Sequence, residues 1–258
     1  MIRRLKAIAA NTFREAVRDK VLYNLVFFFL LLVATAPLLS QISVGVQRVF
    51  LINLSLTAIS IFGTVISIFV GISLVSKEIE KKTLYPVLAR PVGRGEFIVG
   101  KYAGLAGTLT VNTAAMALGF YVALWLLMRT LTGADANILL AIYFLLLQFF
   151  VIIGLALLFS SFSSPLLSAI FALAMFVAGS FAGDLRAFAH MAQGPQGWLA
   201  TAASYVVPNL ASLNVITNVS HDQIIAPALV GYNTLYSVLY TVVTVSAAAL
   251  IFSRRNLK

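Results

Sequence analysis

The chain has 258 residues, 61% of them hydrophobic and only 10% charged, with a mean hydropathy of +0.99. A soluble domain carries about 25% charged and about 45–50% apolar residues, so a soluble enzyme, a nucleic-acid-binding domain and a disordered chain are excluded. The net charge of +10 must therefore be read by position, and the lack of cysteine removes disulfides, thiolate ligands and a cysteine nucleophile.

Residues 1–20 predict an amphipathic interfacial helix. Ile2, Leu5, Ile8, Ala9, Phe13, Ala16 and Val17 recur at helical spacing, with Arg3, Arg4, Lys6, Asn11, Arg14, Arg18 and Asp19 between them. Its apolar face suits the acyl boundary and its basic face suits anionic headgroups. Two roles fit: a simple basic anchor, or a brace that leads the chain into the first span.

Six apolar runs follow, each near the roughly 20 residues that cross a hydrocarbon core. They are 21–39, 50–75, 102–128, 137–159, 166–183 and 232–252, and none contains Asp, Glu, Lys or Arg. The runs are continuous rather than alternating with period two, which argues against a β-barrel. The expected fold is all-α: a polytopic membrane protein whose six transmembrane helices form one domain over residues 21–258. Ala34-Thr35-Ala36 has the small-x-small form of a signal cleavage site. The long region before it, and Pro37 directly after, argue against removal.

Basic residues orient the runs. Fifteen fall on one side: Arg3, Arg4, Lys6, Arg14, Arg18 and Lys20, then Lys77, Lys81, Lys82, Arg90, Arg94 and Lys101, then Arg254, Arg255 and Lys258. Three fall on the other: Arg48, Arg129 and Arg186. The positive-inside rule then places both termini in the cytoplasm, and the expected location is the cell (inner) membrane. The excess charge reads as topology signal and attraction to anionic lipid, with no nucleic acid as partner.

The loop 76–101 carries most of the information. Gly95, Gly100 and Lys101 fit part of a phosphate-binding loop, but Tyr102 stands where Ser or Thr must hold magnesium. A mechanical reading fits better. Thr83 can cap a short helix from Leu84 to Arg90, Pro86 sits in its first turn, Pro91 stops it, and Gly93-Arg94-Gly95 turns the chain back. Such a helix across the cytoplasmic mouth can receive force from a soluble partner. The alternative is a basic loop held by lipid headgroups.

The order of parts resembles the permease subunit of ABC transporters of the type-2 exporter family. The loop matches at Glu78, Glu80, Thr83, Leu84, Leu88, Arg90, Pro91, Val92, Arg94, Phe97, Gly100 and Lys101. Val207-Pro208-Asn209-Leu210 and Arg254-Arg255-Asn256 resemble two further elements, and Lys82 departs from the usual Gly. Among the branches, the chain resembles permeases linked to multicopper-enzyme maturation. The resemblance implies a half-sized permease that pairs with a second copy of itself, with two ATP-binding subunits docked beneath. The Leu84–Arg90 helix would be the coupling helix. Leu84, Tyr85 and Leu88 would enter the ATPase, Arg90 and Arg94 would steer docking, and Glu78 and Glu80 would fix the loop's exit. ATP and magnesium would sit on the partner, leaving this chain without a cofactor, a metal or an ATPase site.

Inside the second run, Asn53, Thr57, Ser60, Thr64 and Ser67 share one helix face. They can pack helices closely or line a translocation path. Gly100, Gly104, Thr108 and Asn112 form a second stripe, and Asn233, Ser237, Thr241 and Thr244 a third. Gln148 is expected to find a partner on a neighbouring helix. Tyr232, Tyr236 and Tyr240 read as a packing face or a ligand cage. The outer loop 184–231 holds His190 and His221, a weak metal pair, and short helices lying at the outer surface. An ion-coupled secondary transporter is the alternative function, but its relay needs ionisable groups within the spans. A non-transporting membrane scaffold is the third.

Overall fold

The computed structural model describes residues 2–17, 25, 27–32, 34, 44–80, 93–128, 135–192 and 194–254. Among these residues the structure is all-α. In chain order the helices are α1 (Ile2–Ala16), α2 (Val44–Glu80), α3 (Arg94–Met128), α4 (Ala136–Ser160), α5 (Pro165–Ser180), α6 (Ala182–Met191), α7 (Pro195–Val206), α8 (Ile216–Ser220) and α9 (Pro227–Arg254). A 3-10 turn, Ala211–Leu213, lies between α7 and α8. Most of the run 21–39 falls outside the described residues. The part that is described is helical, and Phe27 and Phe28 meet Phe62 of α2 edge-on at 5.5 and 6.4 Å.

Among the described residues, four helices are long and apolar enough to cross a membrane: Val46–Ser73, Gly95–Leu127, Ala136–Ser160 and Pro227–Arg254. The chain is a multi-pass membrane protein. α2 and α3 outrun the apolar runs at 50–75 and 102–128, because Arg48, Glu78 and Glu80 belong to α2 and Arg94, Glu96 and Lys101 to α3. The run 166–183 is also redrawn. α5 ends at Ser180, and the chain bends by 65° into α6.

α4 is the centre of the bundle. It is apolar on every side and buried on nearly every side, as expected of a helix enclosed by others. Lipid is as apolar as leucine, so close backbone approach and not hydrophobic burial holds the helices together. Gly71 meets Ala156, Gly154 meets Thr244, and Gly63 lies under the Phe149 ring. These contacts set directions. α2, α4 and α9 run parallel, since Gly63 and Gly71 face Phe149 and Ala156, while Tyr143 and Gly154 face Thr234 and Thr244. α3 runs the other way, with Phe97 stacked on Phe252 and Tyr121 bonded at Asp135. One end of the bundle thus gathers the close of α2, the start of α3 and the close of α9 at Arg254. We call this the basic end and the opposite one the far end.

Candidate functional site

At the basic end, α1 does not stand apart from the bundle. It lies along α3 in the same direction, with Ile8 over Gly100, Ala9 and Thr12 over Gly104, and Phe13 near Gly107. Thr12 and Ala16 are wholly buried there. The apolar face predicted to sit in lipid is therefore used at least in part on α3, while Arg3, Lys6 and Arg14 remain exposed on the other face. Glycine at 100 and 104 makes this approach possible: a Cβ on Gly104 would lie 2.6 Å from the Ala9 carbonyl oxygen.

Lys101 reinforces the junction. Its side chain is 2% exposed, with Nζ 3.6 Å from Glu15 Oε2 and 5.5 Å above the Phe97 ring. The carboxylate and the ring face replace part of the hydration that the ammonium loses on burial. Phe97 in turn stacks on Phe252 of α9 at 5.9 Å. One chain of contacts, Glu15–Lys101–Phe97–Phe252, joins α1, α3 and α9. Gly95, Gly100 and Lys101 all lie within the continuous helix α3, so they do not form a phosphate-cradling loop.

Of the loop residues singled out in sequence, Thr83, Leu84, Tyr85, Leu88, Arg90 and Pro91 lie outside the described residues. Glu78 and Glu80 fall in the last turns of α2, and Arg94 opens α3. The loop thus connects the close of α2 to the helix that carries α1.

The polar stripes resolve into contacts. On α2, Thr64 and Ser67 are buried, Asn53 and Ser60 are half-buried, and Thr57 is exposed. Gln148 Nε2 donates to Ser60 Oγ at 3.5 Å and Thr64 Oγ1 at 3.4 Å. Ser67 returns its proton to the Gly63 carbonyl at 2.6 Å. On α9, Asn233, Ser237, Thr241 and Thr244 are all buried. Tyr236 and Tyr240 engage backbone: Asn209 N–H donates to the Tyr236 hydroxyl at 2.7 Å, and the Tyr240 hydroxyl donates to the Val206 carbonyl at 2.8 Å. Asn233 Nδ2 donates to the Ser212 carbonyl at 2.7 Å, and Leu210 N–H to the Gly179 carbonyl at 3.1 Å. The Val207-Pro208-Asn209-Leu210 element is thus a hydrogen-bonded knot between α5 and α9.

Sequence reasoning missed the far-end cluster. Arg48 Nη2 contacts Asp135 Oδ1 at 2.6 Å and Arg48 Nη1 contacts Asp222 Oδ2 at 3.0 Å. Asp135 precedes α4, and its carbonyl accepts from the Tyr121 hydroxyl at 2.9 Å. One guanidinium therefore joins the start of α2, the start of α4 and the turn after α8. The weak signal for it was an acidic residue just ahead of an apolar run. His190 and His221 are both exposed, and no group of three His, Cys, Asp or Glu capable of holding a metal occurs among the described residues.

A model of the ABC-2 family transporter protein matches residues 6–257, nearly the whole chain. No curated protein matches it. The match covers the basic-end junction, the glycine-packed bundle and the knot alike. The chain belongs to the ABC-2 family of transporter proteins and is the membrane-spanning permease subunit of an ABC transporter.

Proposed function

We propose that the chain is the permease of an ATP-driven exporter in the inner membrane, with its basic end and both termini in the cytoplasm. Two copies form the translocation pathway, and two ATP-binding subunits dock on the loops between α2 and α3. ATP and magnesium are held by those subunits. The observation that carries this reading is the Glu15–Lys101–Phe97–Phe252 junction. The helix that leaves the loop is tied on one side to α1 and on another to α9. A push on the Leu84–Arg90 coupling helix would therefore move three helices as a unit. The stripe from Asn53 to Ser67 divides between two tasks. Thr64 and Ser67 pack within the subunit, while exposed Thr57 and half-exposed Asn53 are available to the pathway.

The test is purification of the complex from membranes through a tag on this chain. A subunit with a complete phosphate-binding loop should co-purify in equal number and hydrolyse ATP. The chain alone should hydrolyse none. Hydrolysis by the isolated chain would overturn the division of labour. Reporter fusions after Lys258 and within 194–198 should report opposite sides of the membrane. The same side for both would overturn the topology.

A further inference from the structure

α2 and α9 pack on different sides of α4. Gly63 and Gly71 of α2 meet Phe149 and Ala156, whereas Thr234 and Thr244 of α9 meet Tyr143 and Gly154. At roughly 100° per residue, the two faces stand about 140° apart round α4. The far-end starts of α2 and α9 are nevertheless tied together, through the turn that follows α8. α8 packs on α2 and α4, with Ile216, Val219 and Ser220 buried. Its turn is closed by its own hydrogen bonds. Asp222 N–H donates to the Val219 carbonyl at 3.1 Å, Gln223 N–H to the Asn218 carbonyl at 2.9 Å, and Asn218 Nδ2 to Gln223 Oε1 at 2.7 Å. Asp222 takes a φ of 55°, a left-handed conformation that aspartate tolerates better than most side chains. A carboxylate is thus presented on a preformed turn, shortly before Pro227 opens α9.

The two arms of Arg48 are unequal. Asp135 is 8% exposed and contacts Nη2 at 2.6 Å, while Asp222 is 50% exposed and accepts from Nη1 at 3.0 and 3.3 Å. Breaking a buried pair is strongly destabilising, whereas an exposed pair adds little and is readily replaced by water. Between the two, the Asp222 arm is therefore the one that opens first. α9 supplies the lever. It is one continuous helix of 28 residues, about 42 Å long, and Phe252 near its close stacks on Phe97 of α3 at 5.9 Å. A displacement of α3 at the basic end is carried along α9 to the far end.

We propose that Arg48 is a positioning residue of the transport cycle. Its Asp135 arm holds α2 to α4 throughout, and its Asp222 arm is a latch on the far mouth that releases the start of α9 from α2 when ATP binds beneath. This inference rests on the exporter reading above and names the far-end contact that the stroke undoes. An exporter has to open at the far end. The latched helix α2 is also the one that carries exposed Thr57 and half-buried Asn53, so releasing the latch parts the bundle beside those residues.

The test uses the complete complex in nanodiscs and a non-hydrolysable ATP analogue. Asp222→Asn removes the latch charge and keeps the shape, while Asp222→Glu keeps the charge. Coupling between two sites is reciprocal, so a latch that opposes the ATP-bound state weakens ATP binding, and its loss must strengthen it. The half-saturating analogue concentration should fall by about 1.5- to 5-fold in Asp222→Asn, the span expected of an exposed ion pair, and Asp222→Glu should restore it. A turn that serves only local stability would leave that concentration unchanged, which overturns the proposal. Hydrogen exchange gives a second reading. In the wild-type complex the analogue should speed exchange at 44–48 and 221–226, and Asp222→Asn should raise it there before any nucleotide is added. Exchange at both segments that ignores the analogue overturns the latch. A complex that binds and hydrolyses ATP yet shows neither effect refutes this inference alone. Hydrolysis by the isolated chain overturns the exporter reading and the latch with it.

Discussion

Gly104→Ala and Gly107→Ala are the same chemical change, one turn apart, on the face of α3 that carries α1. Each removes a helix-interior glycine and so recovers up to about 1 kcal/mol of helix propensity. Their surroundings differ. A Cβ on Gly104 would stand 2.6 Å from both the Ala9 carbonyl oxygen and Thr12 Cβ, and backbone cannot rotate away. A Cβ on Gly107 meets only Phe13 Cδ2, at an ordinary 3.7 Å. Overpacking of this kind costs about 1–3 kcal/mol, and separating the helices by about 1 Å also forfeits a quarter to a half of the dispersion across the contact. Because the propensity gain cancels, the two variants should differ by about 1–3 kcal/mol, with Gly107→Ala the more stable. Hydrogen exchange of residues 2–17 in the purified chain reads this directly. Gly104→Ala should speed exchange there, and Gly107→Ala should leave it unchanged or slower. Equal protection in both variants would refute the docking of α1 in a glycine groove.

At Lys101, Met preserves the buried stem while Ala removes it. Lys101→Ala should therefore be less stable than Lys101→Met, by at most about 2–5 kcal/mol, the range of large-to-Ala changes, and should melt at the lower temperature. Equal destabilisation by both would show that the ammonium, not the packed stem, holds α1. Tyr236→Phe and Tyr240→Phe each strip one partner from the knot, at about 1–3 kcal/mol for a group left unsatisfied. Exchange should rise at 206–210, and unchanged exchange would argue that water replaces the hydroxyls. Arg48→Met leaves buried Asp135 without that cation, so it should destabilise by up to about 3–5 kcal/mol, reduced because Arg48 is partly exposed. Arg48→Lys should fall between, since an ammonium lacks the fork that reaches two carboxylates. Neither should alter binding of an ATPase, and loss of binding would tie the far end to docking.

The spanning helices were legible because a long apolar run has few other solutions. Their ends were less so. Hydropathy sees the apolar middle of α2 and not its charged final turns at Lys77–Glu80, which continue the same helix. The periodicity of α1 was also readable, but Ile8 and Phe13 look the same whether their partner is lipid or Gly100 and Gly107. The outer loop 184–231 held the largest surprise. Val206 and Asn209 pair with Tyr240 and Tyr236 across 34 and 27 residues of sequence, and Leu210 pairs with Gly179, contacts that tie the loop into the bundle and that no local pattern shows. Arg48 pairs across 87 and 174 residues of sequence, which no local pattern records. Gln148, by contrast, announced its need for a partner simply by being an amide in the middle of an apolar run.

The central claim is that the loop between α2 and α3 receives force from an ATPase and passes it into α3. Leu84→Asp together with Leu88→Asp tests it most directly, because large apolar side chains in a docking groove are worth about 1.5–3 kcal/mol each. Neither position belongs to an apolar run, so membrane insertion should be intact. The double variant should insert normally but no longer co-purify with its ATP-binding subunit, or bind it without transport. A double variant that keeps both the subunit and full transport would contradict the account and place force transfer elsewhere.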